Sequence, residues 1–104
     1  MKLVISNLSH SVNESELREV VSAFGNVIHF DFHRNQDGSS SRAWLEVSSE
    51  TGQSLLQYLN GDQIKGQTIN IEELHEYLKN NKTKIVYLDK IIKEFYWNII
   101  VNKE

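Results

Sequence analysis

Apolar positions along this chain alternate between two spacings, and the changes of spacing mark out its elements. Lys2–Leu8 (KLVISNL) is a short β-prone run, followed by polar loop from Ser9 to Val12. Asn13 then offers an N-cap with Glu16 three residues on, the layout of a capping box led by Asn. Leu17, Val20, Val21 and Phe24 fall at i, i+3, i+4 and i+7, one apolar stripe of a helix, which Gly25-Asn26 ends. From Val27 to Arg34 the period drops to two, with Ile28, Phe30 and Phe32 pointing one way and His29, Asp31 and His33 the other. NQDGSSS (35–41) reads as a turn. RAWLEV (42–47) alternates again, setting Ala43, Leu45 and Val47 against Arg42, Trp44 and Glu46. Ser48 and Ser49 can cap a second helix bearing Gly52, Leu55, Leu56 and Leu59, terminated by Asn60-Gly61. Gly66 opens a last strand from Thr68 to Glu72, with Ile69 and Ile71 inward.

The predicted order is strand, helix, strand, strand, helix, strand. The compact way to bury both helical stripes and the alternating strands is an α+β sandwich, with two helices on one face of a four-stranded antiparallel sheet. The other face is then left open. Strand alternation has it displaying Val4, Ser6, His29, Asp31, His33, Arg42, Trp44, Glu46, Asn70 and Glu72.

Four segments also resemble one family. LVISNL (Leu3–Leu8) is similar to the first-strand hexamer of the RNA recognition motif, including its closing Asn7-Leu8. SSRAWLEV (Ser40–Val47) resembles that family's third-strand octamer at Ala43, Trp44, Leu45 and Val47. ELREVVSAFGNV (Glu16–Val27) and LLQYLNG (Leu55–Gly61) resemble its two helices with their Phe-Gly and Leu-Asn-Gly exits. The likeness covers residues 2–74 and implies a ferredoxin-like βαββαβ domain over 1–74 that binds single-stranded RNA on its open sheet face. The family stacks bases on aromatics at the second hexamer position and the third and fifth octamer positions, which here are Val4, Arg42 and Trp44. One of the three is aromatic. Ser40 and Ser41 replace the basic residue and glycine that open the octamer.

The open face still has chemistry suited to bases. Trp44 can stack one, Arg42 can stack or clamp a phosphate, and Val4 supplies an apolar floor. Ser6, His29, His33 and Asn70 can hydrogen-bond base edges, so the RNA site is expected at Val4, Ser6, His29, His33, Arg42, Trp44 and Asn70. Asp31, Glu46 and Glu72 repel phosphates but can accept from base amino groups. The competing structural reading makes Trp44 a packed aromatic beneath another element or a partner protein.

Charge narrows the picture further. Eleven basic residues against 14 acidic ones leave a net charge of −3, which argues against a non-specific nucleic-acid coat but not against a module that stacks a few bases. The absence of cysteine removes disulfides and thiolate metal sites. His29-x-Asp31-x-His33 spreads its imidazoles about 13 Å apart along a strand, too far for one metal ion, so neither a metal nor another cofactor is expected. His10 beside Ser9 and Ser11 has no carboxylate to orient it and no glycine-rich elbow, so an enzyme is not expected either. The opening residues lack the apolar stretch of a signal peptide, and no run approaches the roughly 18 apolar residues of a membrane span. A cytoplasmic protein is expected, in which the N-x-[ST] matches at Asn7, Asn13 and Asn81 have no bearing on glycosylation.

Residues 75–104 form an amphipathic helical extension in this reading. Leu74, Tyr77 and Leu78 sit at i, i+3 and i+4, and after a polar break (79–84) Ile85, Leu88, Ile92, Phe95 and Ile99 recur at 3-4-3-4 spacing. KIVYL (84–88) is also β-prone, so the second helix could begin only at Asp89. FYWNIIV (95–101) is apolar nearly all round and needs cover. Three arrangements supply it: folding back over Val4 and Trp44, pairing with a second chain as a homodimer, or docking on a partner protein. The first two are favoured. A membrane-surface role fits poorly because the polar face is not strongly basic. Two functions therefore stand: an RNA reader, or an interaction module whose sheet face is covered by the extension or a partner.

Overall fold

The computed structural model describes residues 1–34 and 40–80. The heptad positions Ile85, Leu88, Ile92, Phe95 and Ile99 lie outside them. In chain order the elements are β1 (Lys2–Leu8), α1 (Glu14–Ser22), β2 (Val27–Arg34), β3 (Ser41–Val47), α2 (Ser49–Ser54), a π-helical turn (Leu55–Leu59), β4 (Gln63–Ile64), β5 (Gln67–Thr68), β6 (Asn70–Glu73) and α3 (Leu74–Asn80). The main sheet is antiparallel with strand order β2-β3-β1-β6. This is the expected α+β architecture, with β6 as its fourth strand.

Local chemistry accounts for each boundary. Asn13 and Glu16 cap α1 reciprocally: the Asn13 side chain accepts from the Glu16 N–H (2.8 Å) and the Glu16 carboxylate accepts from the Asn13 N–H (3.1 Å). Ser48 caps α2 by accepting from the Thr51 N–H at 3.2 Å. The π-helical turn closes with the Asn60 N–H donating to the Leu55 carbonyl (3.0 Å), and the Asn60 side chain accepts from the Ile71 N–H (2.7 Å), tying the helix exit to β6. Leu3, Ile5, Leu8, Leu17, Val21, Phe30, Leu45, Leu55, Ile69 and Ile71 meet between the helices and one face of the sheet to form the core.

Two departures from simple alternation have identifiable causes. Val27 pairs with Val47 while His29 pairs with Glu46, so Ile28 is the extra residue of a β-bulge. It is extruded to solvent at 62% exposure, contrary to the expectation that it points inward, and Val27 packs against the core in its place. The stretch before β6 is not one strand from Thr68 to Glu72. Gln63–Ile64 and Gln67–Thr68 form a separate hairpin around Lys65-Gly66, both at positive φ (51° and 82°), as a type I′ turn requires. The Lys65 ammonium reaches across to the Ser11 carbonyl (3.0 Å) and the Glu16 carboxylate (2.9 Å), fastening the hairpin to the start of α1.

Gly25 has a φ of 152°, and a Cβ there would lie 3.1 Å from the Thr51 Cβ, in the side chain of a buried residue. Gly25→Ala should therefore lower stability by about 1–3 kcal/mol in urea unfolding. At Gly52, which has no positive φ, an added Cβ meets the Met1 side chain, whose thioether can swing aside although its Cγ and Cβ lie 3.2 and 3.3 Å away, so Gly52→Ala should cost less than Gly25→Ala.

The Lys65 bond, and then the Asn13 N–H, hold the Glu16 carboxyl below its ordinary value of 4.5. Because the folded value is the depressed one, this contribution is fully present above the unfolded value and is lost as pH falls through the folded one. Lys65→Met should raise the Glu16 midpoint toward 4.5 in a carboxyl NMR titration and reduce the acid sensitivity of folding.

Candidate nucleic-acid interface

The sheet face turned away from α1 and α2 is built in rows fixed by strand register. Asp31, Trp44, Val4 and Glu72 line up across all four strands. On one side of that row lie His29, Glu46 and Lys2, and on the other the pairs His33·Arg42 and Ser6·Asn70. Every residue expected at the RNA site therefore shares one face. Lys2 was absent from that expectation, although its register opposite Glu46 follows from the same alternation.

The centre of the face is not open. Val4 is 1% exposed and Trp44 is 0% exposed, which corrects the expectation that both are displayed to solvent. The cause is α3. Leu74, Tyr77 and Leu78 sit at i, i+3 and i+4 on one helical stripe and are all buried, while His75, Glu76 and Lys79 face out. The Tyr77 ring meets Trp44 edge-on, with centroids 5.3 Å apart and planes at 87°. Its hydroxyl accepts a hydrogen bond from Arg42 Nη1 at 3.0 Å. Residues 74–80 thus pack over Val4 and Trp44, while the heptad stripe for which folding back, dimerisation or partner docking was expected lies outside the described residues.

A polar periphery remains around this covered centre. His29 and Asn70 are exposed, and Ser6, Asp31, His33, Arg42, Glu46 and Glu72 are half-buried. His29 Nε2 is paired with the Asp31 carboxylate, which keeps the imidazole beside an acceptor. The Asn70 amide donates to Glu72 at 2.8 Å and the Ser6 hydroxyl to the Asn70 carbonyl at 3.5 Å. Asn7, at the exit of β1, takes a positive φ of 61° and donates to the Thr68 carbonyl (2.7 Å), where the β1–β3 register shifts. Among the described residues no cluster of His, Asp and Glu is placed to hold a metal ion. Nor does any helix among them have the length and apolarity to cross a membrane.

A residue pattern for the RNA recognition motif matches residues 3–70. Among solved structures, the RRM of Rna15 with bound RNA (GU) is 19% identical with a TM-score of 0.61, covering 69% of this chain and 80% of that one. The first two RRM domains of yeast poly(U) binding protein (Pub1) are 23% identical with a TM-score of 0.65, covering 69% and 44%. RNA recognition domains 1 and 2 of Sex-lethal from Drosophila melanogaster are 20% identical with a TM-score of 0.62, covering 69% and 48%. These likenesses establish a shared fold.

Burial of Trp44 has a direct energetic consequence. Trp44→Ala should cost about 3–5 kcal/mol in chemical denaturation, the range for emptying a buried aromatic site. A loss below about 1 kcal/mol would mean that the indole is solvated instead.

Proposed function

The chain belongs to the RNA recognition motif family, whose model spans residues 3–70, and from that premise we propose that it binds single-stranded RNA on the sheet face opposite α1 and α2. The observation that carries this reading is the register, which gathers Val4, Ser6, His29, His33, Arg42, Trp44 and Asn70 on that one face. Arg42 supplies a guanidinium for stacking or phosphate, the imidazoles of His29 and His33 stack or donate, and Ser6 and Asn70 read base edges. Val4 and Trp44 form the apolar floor. Asp31, Glu46 and Glu72 lie among these groups and oppose phosphates, so binding rests on bases rather than on backbone charge, consistent with the net charge of −3. No catalytic step, metal or cofactor enters this reading, and a cytoplasmic location goes with it.

A second reading is supported by the cover on Val4 and Trp44. In it the domain is an interaction module, with α3 sealing the face and the apolar positions Ile85, Leu88, Ile92, Phe95 and Ile99 engaging a second copy of the chain or a protein partner.

An NMR titration of the full chain with a pool of random single-stranded RNA octamers separates the two. Under the RNA reading, amide shifts cluster on His29, His33, Arg42 and Asn70, affinity falls only shallowly as salt rises, and it drops at least about fivefold in Arg42→Ala. Absence of shifts on this face, with sedimentation showing a concentration-dependent dimer, would favour the interaction module.

A further inference from the structure

We propose that Asp31 sets the base preference of this face, and that it selects guanine over the other bases. The proposal rests on the RNA-binding reading above and names the class of RNA that the site takes.

The placement of a base follows from the packing. α3 lies against β1 and β6, and Tyr77 rests on Trp44, so β2 stands to the side of the cover. Beyond the Ile28 bulge, His29, Asp31 and His33 share the sheet face, each opposite a residue of β3. His33 pairs with Arg42, and Asp31 is the next residue of β2 on that face, about 7 Å along the strand. A base lying flat on His33 and Arg42 therefore points one edge at the Asp31 carboxylate.

Asp31, Glu46 and Glu72 all bring carboxylates to this face, but their surroundings differ. Glu72 is occupied: its Oε1 accepts from the Asn70 amide at 2.8 Å, and its Oε2 is buried out of a ligand's reach. Glu46 sits in register between Lys2 and His29, with an ammonium on one strand and an imidazole on the other. Asp31 is unlike both. His29 Nε2 pairs with its Oδ2 and pins the carboxylate, while Oδ1 accepts nothing among the described residues and stays in reach of solvent. The side chain is only 24% exposed, so hydration of Oδ1 is incomplete and a donor brought by a ligand counts for more here than on an open surface.

The chemistry of that acceptor chooses the base. An ionised carboxylate only accepts, through about four lone-pair sites on its two oxygens. Guanine sets two donors side by side on its Watson–Crick edge, N1–H and N2–H, which match the two oxygens as an arginine fork does. Adenine and cytosine each place an amino donor next to a ring-nitrogen acceptor. Uracil holds its N3–H between two carbonyls. All three thus bring an acceptor against the carboxylate, and that repulsion adds to the lost bond in setting the selectivity.

The test titrates the full chain, by anisotropy, with three fluorescein-labelled single-stranded RNA octamers. One is all uridine, one carries two central guanosines, and one carries two central inosines, which lack the N2 amino group. The parent chain should bind the guanosine octamer about tenfold tighter than the uridine one, the discrimination of one good bidentate pair. Inosine should fall at least about threefold below guanosine. Asp31→Asn keeps the shape but exchanges an acceptor for a donor, and its affinities for guanosine and uridine octamers should lie within about twofold of each other; the ratio is read because removing a negative charge favours every RNA. Guanosine bound no tighter than uridine, inosine bound as tightly as guanosine, or a preference that persists in Asp31→Asn would each overturn the assignment while leaving the RNA-binding reading standing. No binding of any octamer by the parent chain would overturn both.

Discussion

Trp44 stands at the octamer position where the resemblance to the RNA recognition motif implies a stacking aromatic, and it already has an aromatic neighbour. Its indole is fully buried, with the Tyr77 ring edge-on against it and Arg42 bonded to the Tyr77 hydroxyl. The rest of the face depends on this contact. It divides the sheet into an apolar centre under α3 and a polar periphery of His29, Asp31, His33 and Asn70. It also couples the third strand of the domain to the start of the extension beyond it. Aromatic pairs of this kind contribute about 0.5–1.5 kcal/mol beyond their burial, a supplement to the burial of Leu74, Tyr77 and Leu78 that docks α3.

Much of the fold was legible because its signals are local. The Asn13–Glu16 capping box, the Leu17/Val21 stripe and the alternation of Arg42–Val47 each involve residues within one element, and each is realised as read. The misses arise where a single residue changes the register. Ile28 reads as inward by strict alternation, but the bulge opposite Glu46–Val47 turns it out. Nothing in VIHFDFHR marks which residue will be the extra one. The Lys65-Gly66 hairpin was missed for a different reason. Gly66 reads as the opening of the last strand, but a non-glycine in the left-handed region at position 65 is held there by tertiary bonds from its side chain to Ser11 and Glu16.

The candidate site was legible as a set of residues but not as a surface. Period-two alternation is enough to place Val4, Ser6, His29, His33, Arg42, Trp44 and Asn70 on one side of the sheet, and register confirms that they share it. Exposure is another matter, since it depends on what packs from outside. The Leu74/Tyr77/Leu78 stripe announced a helix in need of a surface, while Val4 and Trp44 announced a surface in need of cover. Matching the two is a question of chain reversal after Glu73, and spacing cannot settle that. The Arg42–Tyr77 bond had no signal at all, being made between side chains 35 positions apart.

The central proposal is that the chain binds single-stranded RNA on the sheet face that gathers His29, His33, Arg42 and Asn70. Amide hydrogen–deuterium exchange on the full chain, with and without saturating single-stranded RNA, tests it most directly. RNA is expected to slow exchange on β2 and β3, where His29, His33 and Arg42 lie, while leaving α1 and α2 on the opposite face unchanged. Unchanged exchange on β2 and β3 would contradict it.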